Sequence, residues 1–251
     1  MKIIGVIPAR YASTRFPGKP LVDICGKPMI QRVFEQVKKV ETFSEVFVAT
    51  DDERIRDVCE KEGVNIVMTR NDHPDHIARL HEVSEKITAD VYVCVNGDEP
   101  LIDPASIARV TDSLPENFSD GNVRFQGAFR TLTDPAETID FAKIKLALTR
   151  GGRCVYMSRT PVPYPRGTLF FSYKKYVGIE CFSKAALDFF AGTPMGELER
   201  AEDIDHLRFL ENGHPLFFTE IESESISVDT PKDAEKVRKI FERNHGKISP
   251  S

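Results

Sequence analysis

The chain has 251 residues, of which 41% are hydrophobic and 29% charged, a balance typical of globular proteins and too apolar for a disordered chain. Its formal net charge of −5 argues against a nucleic-acid-binding protein, because such proteins usually carry a basic face. No apolar run reaches the roughly 18 residues of a membrane span, and the N-terminus has no signal-peptide pattern, so we expect a cytoplasmic protein.

The first half of the chain alternates short β-rich runs with amphipathic helical patterns. Strands are predicted at residues 3–7, 46–49, 65–68 and 91–95. Helices are predicted at residues 29–40, 52–62, 76–87 and 104–114, the last with Asp103 as its N-cap. Because short β-α-β connections produce parallel strands, we expect an α/β fold with a mixed, mainly parallel sheet and helices on both faces. Ligands of such sheets bind at the carboxyl ends of the strands.

The second half of the chain is less regular. Further strands are predicted at residues 123–131, 145–149, 153–158, 173–182 and 217–221. Helices are predicted at residues 184–191, 202–212 and 231–245. The three prolines of residues 160–167 predict an extended loop. Since no linker or repeat interrupts the chain, we expect a single domain over residues 1–251, with residues 123–182 as a middle subregion.

A basic loop leaves the first predicted strand at residues 8–21. It carries Arg10, Arg15 and Lys19 among small residues, which let a ligand approach the backbone closely. Such a segment can form an anion-binding site, and a polyphosphate is the ligand that fits its chemistry best. It is not a Walker loop, because Pro20 stands where Ser or Thr would hold magnesium. The alternative is a solvated basic loop without a ligand.

Two isolated carboxylates follow predicted strands far apart in the chain. Asp98 comes directly after the strand at residues 91–95, and Asp229 precedes the last helix. Opposite a cationic loop, carboxylates in these places suit a Mg²⁺ ion that bridges phosphates. The alternatives are that Asp98 belongs to a simple turn and that Asp229 only caps the helix that begins at Pro231.

Three histidines, His73, His76 and His81, lie close together in the sequence. Their spacing does not place them on one helix face. It therefore predicts surface or capping roles and disfavours a transition-metal site.

Seven motifs in order resemble the 3-deoxy-manno-octulosonate cytidylyltransferases, or CMP-Kdo synthetases. They are PARYASTRFPGKPL at 8–21, ATDDER at 49–54, MTRNDH at 68–73, GDEP at 97–100, SRTPVPY at 158–164, VGI at 177–179 and VDTP at 228–231. The resemblance covers nearly the whole chain. It implies a nucleotidyltransferase fold, a homodimer, and a reaction of CTP with a 3-deoxy-ulosonic acid sugar that gives a CMP-sugar and pyrophosphate.

The same resemblance implies roles for individual residues. The CTP-binding residues would be Ala9, Arg10, Arg15, Lys19 and Asn96, the last standing where the family commonly has Gln. Magnesium would be bound by Asp98 and Asp229, and these two residues with Arg10 and Lys19 would form the catalytic set. The middle subregion would take part in acceptor binding and dimerisation.

The departures from the family pattern cluster at positions that face the sugar or the nucleoside. Of the family's Ser-Gly-Thr-Asp-Arg only Arg79 remains. Tyr176 replaces His, Glu180 replaces Tyr, and Asp205 with His206 replaces Glu-Gln. We therefore predict that Tyr176, Glu180, Asp205 and His206 contact the acceptor, and that this acceptor is Kdo or a variant such as an amino-Kdo. An amino-substituted sugar would suit the added carboxylate of Glu180, unless that side chain points away from the pocket.

An acidic acceptor also needs cations. The candidates are Arg79, Lys145, Arg159 and Arg166; the alternative for each is an ordinary surface salt bridge. Two other functions stay open at this point: a cytidylyltransferase for a different ulosonic acid or a phosphonate, and a non-catalytic nucleotide-binding paralogue.

Overall fold

Strands form where the sequence carries β-branched and aromatic runs, and helices where apolar residues recur at three and four positions. The structure, a computed structural model, describes residues 1–12, 16–168, 171–222 and 225–245. In these residues the strands are β1 (Ile3–Ala9), β2 (Glu45–Thr50), β3 (Ile66–Met68), β4 (Val91–Val95), β5 (Phe125–Thr131), β6 (Lys145–Leu148), β7 (Cys154–Ser158), β8 (Lys174–Ser183) and β9 (Phe217–Glu220).

The helices alternate with strands in the first half of the chain and cluster in the second. They are α1 (Met29–Val37), α2 (Glu53–Lys61), α3 (His76–Lys86), α4 (Pro104–Asp112), α5 (Pro135–Ile139), α6 (Lys184–Gly192), α7 (Glu197–Glu202), α8 (Leu207–Glu211) and α9 (Pro231–His245). A short 3₁₀ turn covers Lys19–Leu21. Among the described helices, none combines the length and the apolar character that crossing a bilayer requires.

The strands join in one sheet, in the order β3-β2-β1-β4-β8-β5-β9, while β6 pairs with β8 and β7 pairs with β6. The pairs within β1–β4 are parallel, and β5 is parallel to β9. Strand β8 runs antiparallel to both β4 and β5. The expected mixed α/β sheet is therefore confirmed, and its antiparallel part comes from the middle of the chain.

Hydrophobic clusters cover both faces of this sheet, as expected for strands that are buried throughout. On one face, Ile7 packs with Val33 of α1 and Ile107 of α4. On the other face, Val6 packs with Leu80 of α3 and Phe190 of α6. Each such side chain contributes about 1.5–3 kcal/mol on burial, which makes the sheet a rigid support for the loops at its edge.

A third, smaller cluster lies beside the basic loop. It joins Ile24 and Met29, just after that loop, to Val228 and to Val237 and Phe241 of α9. The C-terminal helix is thereby packed against the start of α1. This packing brings the segment around Asp229 back to the N-terminal part of the sheet.

The predicted boundaries differ from the observed ones in two instructive places. The helix predicted at residues 202–212 is confirmed only for α8, because Asp203 adopts a left-handed conformation with φ of 53° and separates α7 from α8. The short helix α5 was missed, although Asp134 accepts a hydrogen bond from the Ala136 amide and Pro135 occupies the first turn. The predicted N-cap Asp103 is confirmed by its bonds to the amides of Ala105 and Ser106.

Candidate active site

Lys19 lies between two carboxylates that are distant in the sequence. Its Nζ is 2.6 Å from Asp98 Oδ2 and 3.4 Å from Asp229 Oδ1. The three side chains are only partly exposed, at 16% for Lys19, 23% for Asp98 and 37% for Asp229. We call Asp98 and Asp229 the carboxylate pair. Lys19 of the basic loop and both predicted metal ligands therefore lie together at the carboxyl end of β4.

Backbone contacts hold the carboxylate pair together. The Val228 amide donates a 2.8 Å hydrogen bond to the Asp98 carbonyl, and the fully buried Val228 side chain belongs to the cluster that α9 forms with Met29. Lys19 begins a 3₁₀ turn after Gly18, whose φ is +71° and where a Cβ would lie 3.2 Å from the Tyr11 ring. A Cβ at that position would be strained by the left-handed backbone, so the turn that orients Lys19 depends on glycine.

The carboxylate pair has the character of a cation site. Asp98 Oδ1 is buried and makes no hydrogen bond to any group that the structure describes. Two carboxylates thus face one place, and Mg²⁺ prefers oxygen ligands of this kind. The residues present therefore fit a magnesium ion, whose binding here stays a prediction.

Glu99 is a residue that the sequence analysis missed. It is 7% exposed, and burial, reinforced by the neighbouring charge of Asp98, raises the pKa of its carboxyl to about 7. The only hint of a functional role in the sequence was that Glu99 directly follows Asp98. A lone carboxyl beside a candidate metal ligand cannot be assigned a buried environment before the fold is known.

Arg10 is anchored to the loop that precedes α3. Its Nη2 donates hydrogen bonds to the carbonyls of His73, at 2.7 Å, and Asp75, at 3.0 Å. Ala9 is the last residue of β1 and lies opposite Thr50 of β2. Arg15, the remaining cation of the predicted CTP cradle, lies outside the described residues. Arg10 thus follows the carboxyl end of β1, and backbone carbonyls orient its guanidinium.

Asn96 lies over the neighbouring strand β8. Its backbone amide donates to the Gly178 carbonyl at 3.3 Å. Its side chain covers Gly178 so closely that a Cβ there would sit 2.0 Å from Asn96 Nδ2. Gly178 is therefore required for the position of the Asn96 amide, which is the nucleotide-contacting group that the family resemblance implies.

The acceptor-side departures come together around Glu180, in what we call the Glu180 cluster. It contains Glu180, Tyr176, His76, His206 and Asp205. His76 Nε2 lies 2.9 Å from Glu180 Oε2, and His206 Nε2 lies 2.7 Å from Glu180 Oε1. The Tyr176 hydroxyl donates to Glu180, and His76 Nδ1 faces Asp205 Oδ2 at 3.6 Å. Residues from α3, β8 and the segment before α8 thus form one polar network.

Opposite charges dominate this cluster. Burial raises the pKa of Glu180, but the adjacent histidines His76 and His206 outweigh that effect and lower it well below its usual range. Burial disfavours the charged form of His76, yet the Glu180 carboxylate raises the pKa of His76 to about 9. Burial raises the pKa of Asp205. The Glu180 carboxylate is therefore ionised and already engaged, which disfavours the expectation that it awaits an amino group of the acceptor.

The three histidines near α3 find partners that their spacing did not reveal. His73 is buried and contacts Glu82, so its predicted surface or capping role is wrong. His76 is the first residue of α3 and faces Glu180, 104 positions away. His81 bonds Asp188 of α6 at 3.0 Å. Local spacing cannot report contacts made by strands and helices that come later in the chain.

The cations proposed for the acceptor carboxylate are mostly engaged elsewhere. Arg79 is fully buried and faces Asp51 at 3.4 Å. Lys145 is fully buried as well, and its ammonium donates to the carbonyls of Asp140 and Lys143. Two of the Arg79 nitrogens, Nε and Nη2, make no hydrogen bond to a described group. Contact of Arg79 and Lys145 with an acceptor therefore stays a prediction.

Arg159 and Arg166 belong to the loop after β7. Arg159 donates to the carbonyls of Glu202 and Asp203, each at 2.6 Å, so its guanidinium joins the loop to the end of α7. Arg166 is exposed. Of the four candidates, Arg166 alone presents its side chain broadly to solvent.

Comparisons with known proteins show the family to which this chain belongs. A family described as cytidylyltransferase matches residues 4–226. The 3-deoxy-manno-octulosonate cytidylyltransferase of Solibacter usitatus is 38% identical, covering 96% of this chain and 94% of that protein. The enzyme of that name from Geobacter sulfurreducens is 41% identical, covering 94% of this chain and 98% of that protein.

A solved structure is similar over almost the full chain. It is CMP:2-keto-3-deoxy-manno-octonic acid synthetase complexed with CTP, with a TM-score of 0.91 and 36% identity, covering 97% of this chain and all of that one. A putative glucose-1-phosphate thymidylyltransferase from Bacillus anthracis, with a TM-score of 0.64 and 16% identity over 95% of this chain and 94% of that one, shares the fold. The resemblance found in the sequence motifs is confirmed.

Proposed function

Because this chain belongs to the cytidylyltransferase family and is a nucleotidyltransferase, we propose that it transfers CMP from CTP to 3-deoxy-manno-octulosonate (Kdo) in a Mg²⁺-dependent reaction. The products are CMP-Kdo and pyrophosphate. The names of its relatives support this substrate pair. The observation that carries the proposal is the position of Lys19 between the carboxylate pair, at 2.6 Å and 3.4 Å.

The reaction needs alignment and charge neutralisation more than it needs a side-chain base. The acceptor hydroxyl attacks the α-phosphorus of CTP, the bond to the bridging oxygen breaks, and pyrophosphate leaves with the negative charge. When bound by Asp98 and Asp229, Mg²⁺ would neutralise phosphate charge and lower the pKa of the attacking hydroxyl.

The chain's own residues supply the remaining functions. Lys19 pairs with the carboxylates in the free protein and can pair with phosphate oxygens of the leaving group when CTP is present. Arg10 is held by two carbonyls, which pre-orients its guanidinium for the α-phosphate. Asn96, fixed over Gly178, offers an amide to the nucleoside. Such pre-oriented donors stabilise developing charge without reorganising during the reaction.

The acceptor is proposed to be an unmodified 3-deoxy-ulosonic acid, with Kdo as the first choice. An amino-substituted acceptor would require a free carboxylate, and the Glu180 carboxylate is instead occupied by His76, His206 and Tyr176. A buried charge that already has partners gains little from a further ammonium.

Pyrophosphate release provides the test. The protein is incubated with each of the four nucleoside triphosphates and with Kdo, with an amino-Kdo, with another ulosonic acid or with a phosphonate, and the products are identified by mass spectrometry. We expect release with CTP and Kdo, a product of the mass of CMP-Kdo, and loss of release with EDTA that excess Mg²⁺ restores. Release with a different nucleotide, or only with another acceptor, would contradict the proposal.

We also propose a homodimer located in the cytoplasm, as the sequence leads us to expect. Light scattering on the purified protein tests the first of these. A mass near 28.3 kDa at working concentrations would contradict the dimer.

A further inference from the structure

Glu180 occupies an unusual place for a carboxylate. It lies within β8, opposite Cys94 of β4 and Gly127 of β5, and its side chain is 1% exposed. A charge buried inside a sheet costs much free energy unless it is paired or binds a metal. The side chains around Glu180 therefore decide what this position does.

Three metal-ligating side chains converge there. One nitrogen each of His76 and His206 and one oxygen of Glu180 all lie within 4.8 Å of one another. Two imidazoles with one carboxylate are a ligand set of zinc sites that keep a fourth position for water. Imidazole also suits the neighbouring transition metals, whereas Mg²⁺ prefers oxygen ligands alone. The Glu180 cluster thus differs in chemistry from the carboxylate pair.

His206 completes the ligand set from a position that is closed to solvent. Its side chain is 4% exposed, and its Nε2 lies 2.7 Å from Glu180 Oε1, in an ion-pair contact that does not have the geometry of a hydrogen bond. The nitrogen and the oxygen therefore face a common point, and a metal ion at that point would take both as ligands.

The surroundings of the three ligands resemble the outer contacts of metal sites. Metal-bound histidines usually direct their second nitrogen toward a carboxylate, and ligating carboxylates accept further hydrogen bonds. Here His76 Nδ1 faces Asp205 Oδ2 at 3.6 Å, and the Tyr176 hydroxyl donates to Glu180. The His206 ring packs edge-on against Phe125, with centroids 5.1 Å apart. The ligands are thus held in place before any ion arrives.

We propose that His76, Glu180 and His206 bind one divalent transition-metal ion of the zinc type, with a water in the fourth position. Zinc–ligand bonds of about 2.0–2.1 Å separate ligand atoms by roughly 3.3 Å. The present nitrogen–oxygen distances are 2.7 and 2.9 Å, so the ligands must move apart by about half an ångström. His76 is the entry side, because 28% of its side chain is exposed.

The ion would link the Glu180 cluster to the residues proposed to bind the nucleotide. His76 follows Asp75, whose carbonyl accepts a hydrogen bond from Arg10. Glu180 lies two residues after Gly178, against which Asn96 is packed. Fixing α3, β8 and the start of α8 at one point therefore supports two groups that the proposed reaction uses. This role is structural, and the ion takes no part in the chemistry of phosphoryl transfer.

Cobalt spectroscopy on the whole protein tests the site. The protein is first dialysed against a chelator and then titrated with Co²⁺, whose visible absorption distinguishes a protein site from the hydrated ion. We expect a band that saturates at one equivalent and disappears when Zn²⁺ is added. His76→Ala and His206→Ala should weaken Co²⁺ binding by roughly 100-fold or more, because each removes a ligand.

Two control variants locate the ion. His81→Ala removes another histidine of α3, one that bonds Asp188, and should leave the band unchanged. Asp98→Asn should also leave it unchanged, because the carboxylate pair is a separate site. A band lost in Asp98→Asn but kept in His76→Ala would overturn the proposal.

The unaltered protein decides the question even if a variant fails to fold. Absence of a saturable band, together with less than 0.1 equivalent (roughly, by elemental analysis) of retained zinc, would mean that the Glu180 cluster is an ion-pair network only. Either result leaves the pyrophosphate assay for CTP and Kdo unaffected as a test of the proposed function.

Discussion

The carboxylate pair and the Glu180 cluster differ in how far their charged groups are exposed to solvent and in how many side chains contact them. Around Lys19, the charged side chains remain partly exposed, and Asp98 Oδ1 has no hydrogen-bond partner among the described residues. Around Glu180, the carboxylate is closed off from solvent and contacted by three side chains. The region proposed to bind CTP and Mg²⁺ stays partly open to solvent, whereas the Glu180 carboxylate is surrounded by side chains of the protein itself.

Loss of one acid from the carboxylate pair should give the largest effect. Asp98→Asn should lower turnover with CTP and Kdo by about three to four orders of magnitude, which corresponds to about 4–5.5 kcal/mol of transition-state stabilisation. The circular dichroism spectrum should not change, because the partly exposed Asp98 side chain is expected to bind ligand and to contribute little to the stability of the fold. Asp112→Asn, an exposed acid at the end of α4, is the matched control. Comparable turnover in both variants would remove the metal assignment.

The Glu180 cluster should show the reverse pattern. Glu180→Gln should lower the free energy of unfolding by roughly 4 kcal/mol, because breaking a buried ion pair leaves His76 charged and without its partner. Urea unfolding of chelator-treated protein measures this, with the exposed Glu85→Gln as the control. If Glu180→Gln is as stable as Glu85→Gln, the two regions do not differ as described.

The buried contact between His73 and Glu82 allows the stabilising effect of a paired carboxylate to be measured as a function of pH. Burial raises the pKa of Glu82, but bonds from Lys86, the Arg70 amide and His73 outweigh burial and lower it to about 2. Because this folded-state pKa is below the ordinary value of 4.5, the ionised carboxyl stabilises the protein above pH 4.5. That stabilisation is lost as the pH falls toward 2.

Glu82→Gln should therefore cost about 3 kcal/mol at pH 7 and less than half of that at pH 3. Urea unfolding at both values, again beside Glu85→Gln, measures the difference. A cost that is the same at pH 3 and pH 7 would show that packing, and not the carboxylate charge, supports this contact.

The smallest effect on the kinetics is expected from a substitution in β8 between the two regions, where Gly178 packs against Asn96. Gly178→Ala places a methyl group where the Asn96 amide now lies and should raise KM for CTP by about tenfold, or about 1.4 kcal/mol, with kcat nearly unchanged. Gly192→Ala, where a Cβ meets nothing within 4 Å, is the control. Steady-state kinetics that show equal KM values would contradict the role of Asn96.

Local patterns were sufficient to predict most of the framework. The alternation of β1–β4 with α1–α4 follows from hydrophobic periodicity, which is read within about ten residues. The N-cap Asp103 and the cations of the basic loop are likewise local features. The missed helix α5 and the break at Asp203 also have local causes, but short helices carry too few periodic positions to be recognised.

The composition of both regions was determined by the sequence, and their geometry by the tertiary structure. Lys19 meets Asp98 and Asp229 across 79 and 210 positions of the chain, because β4 ends beside the segment that α9 holds in place. Lys145 is a cation in the sequence, yet folding buries it against backbone carbonyls. Residue type sets which chemistry is available, but only long-range packing decides which charges remain free, since desolvation and pairing depend on neighbours that the local sequence does not contain.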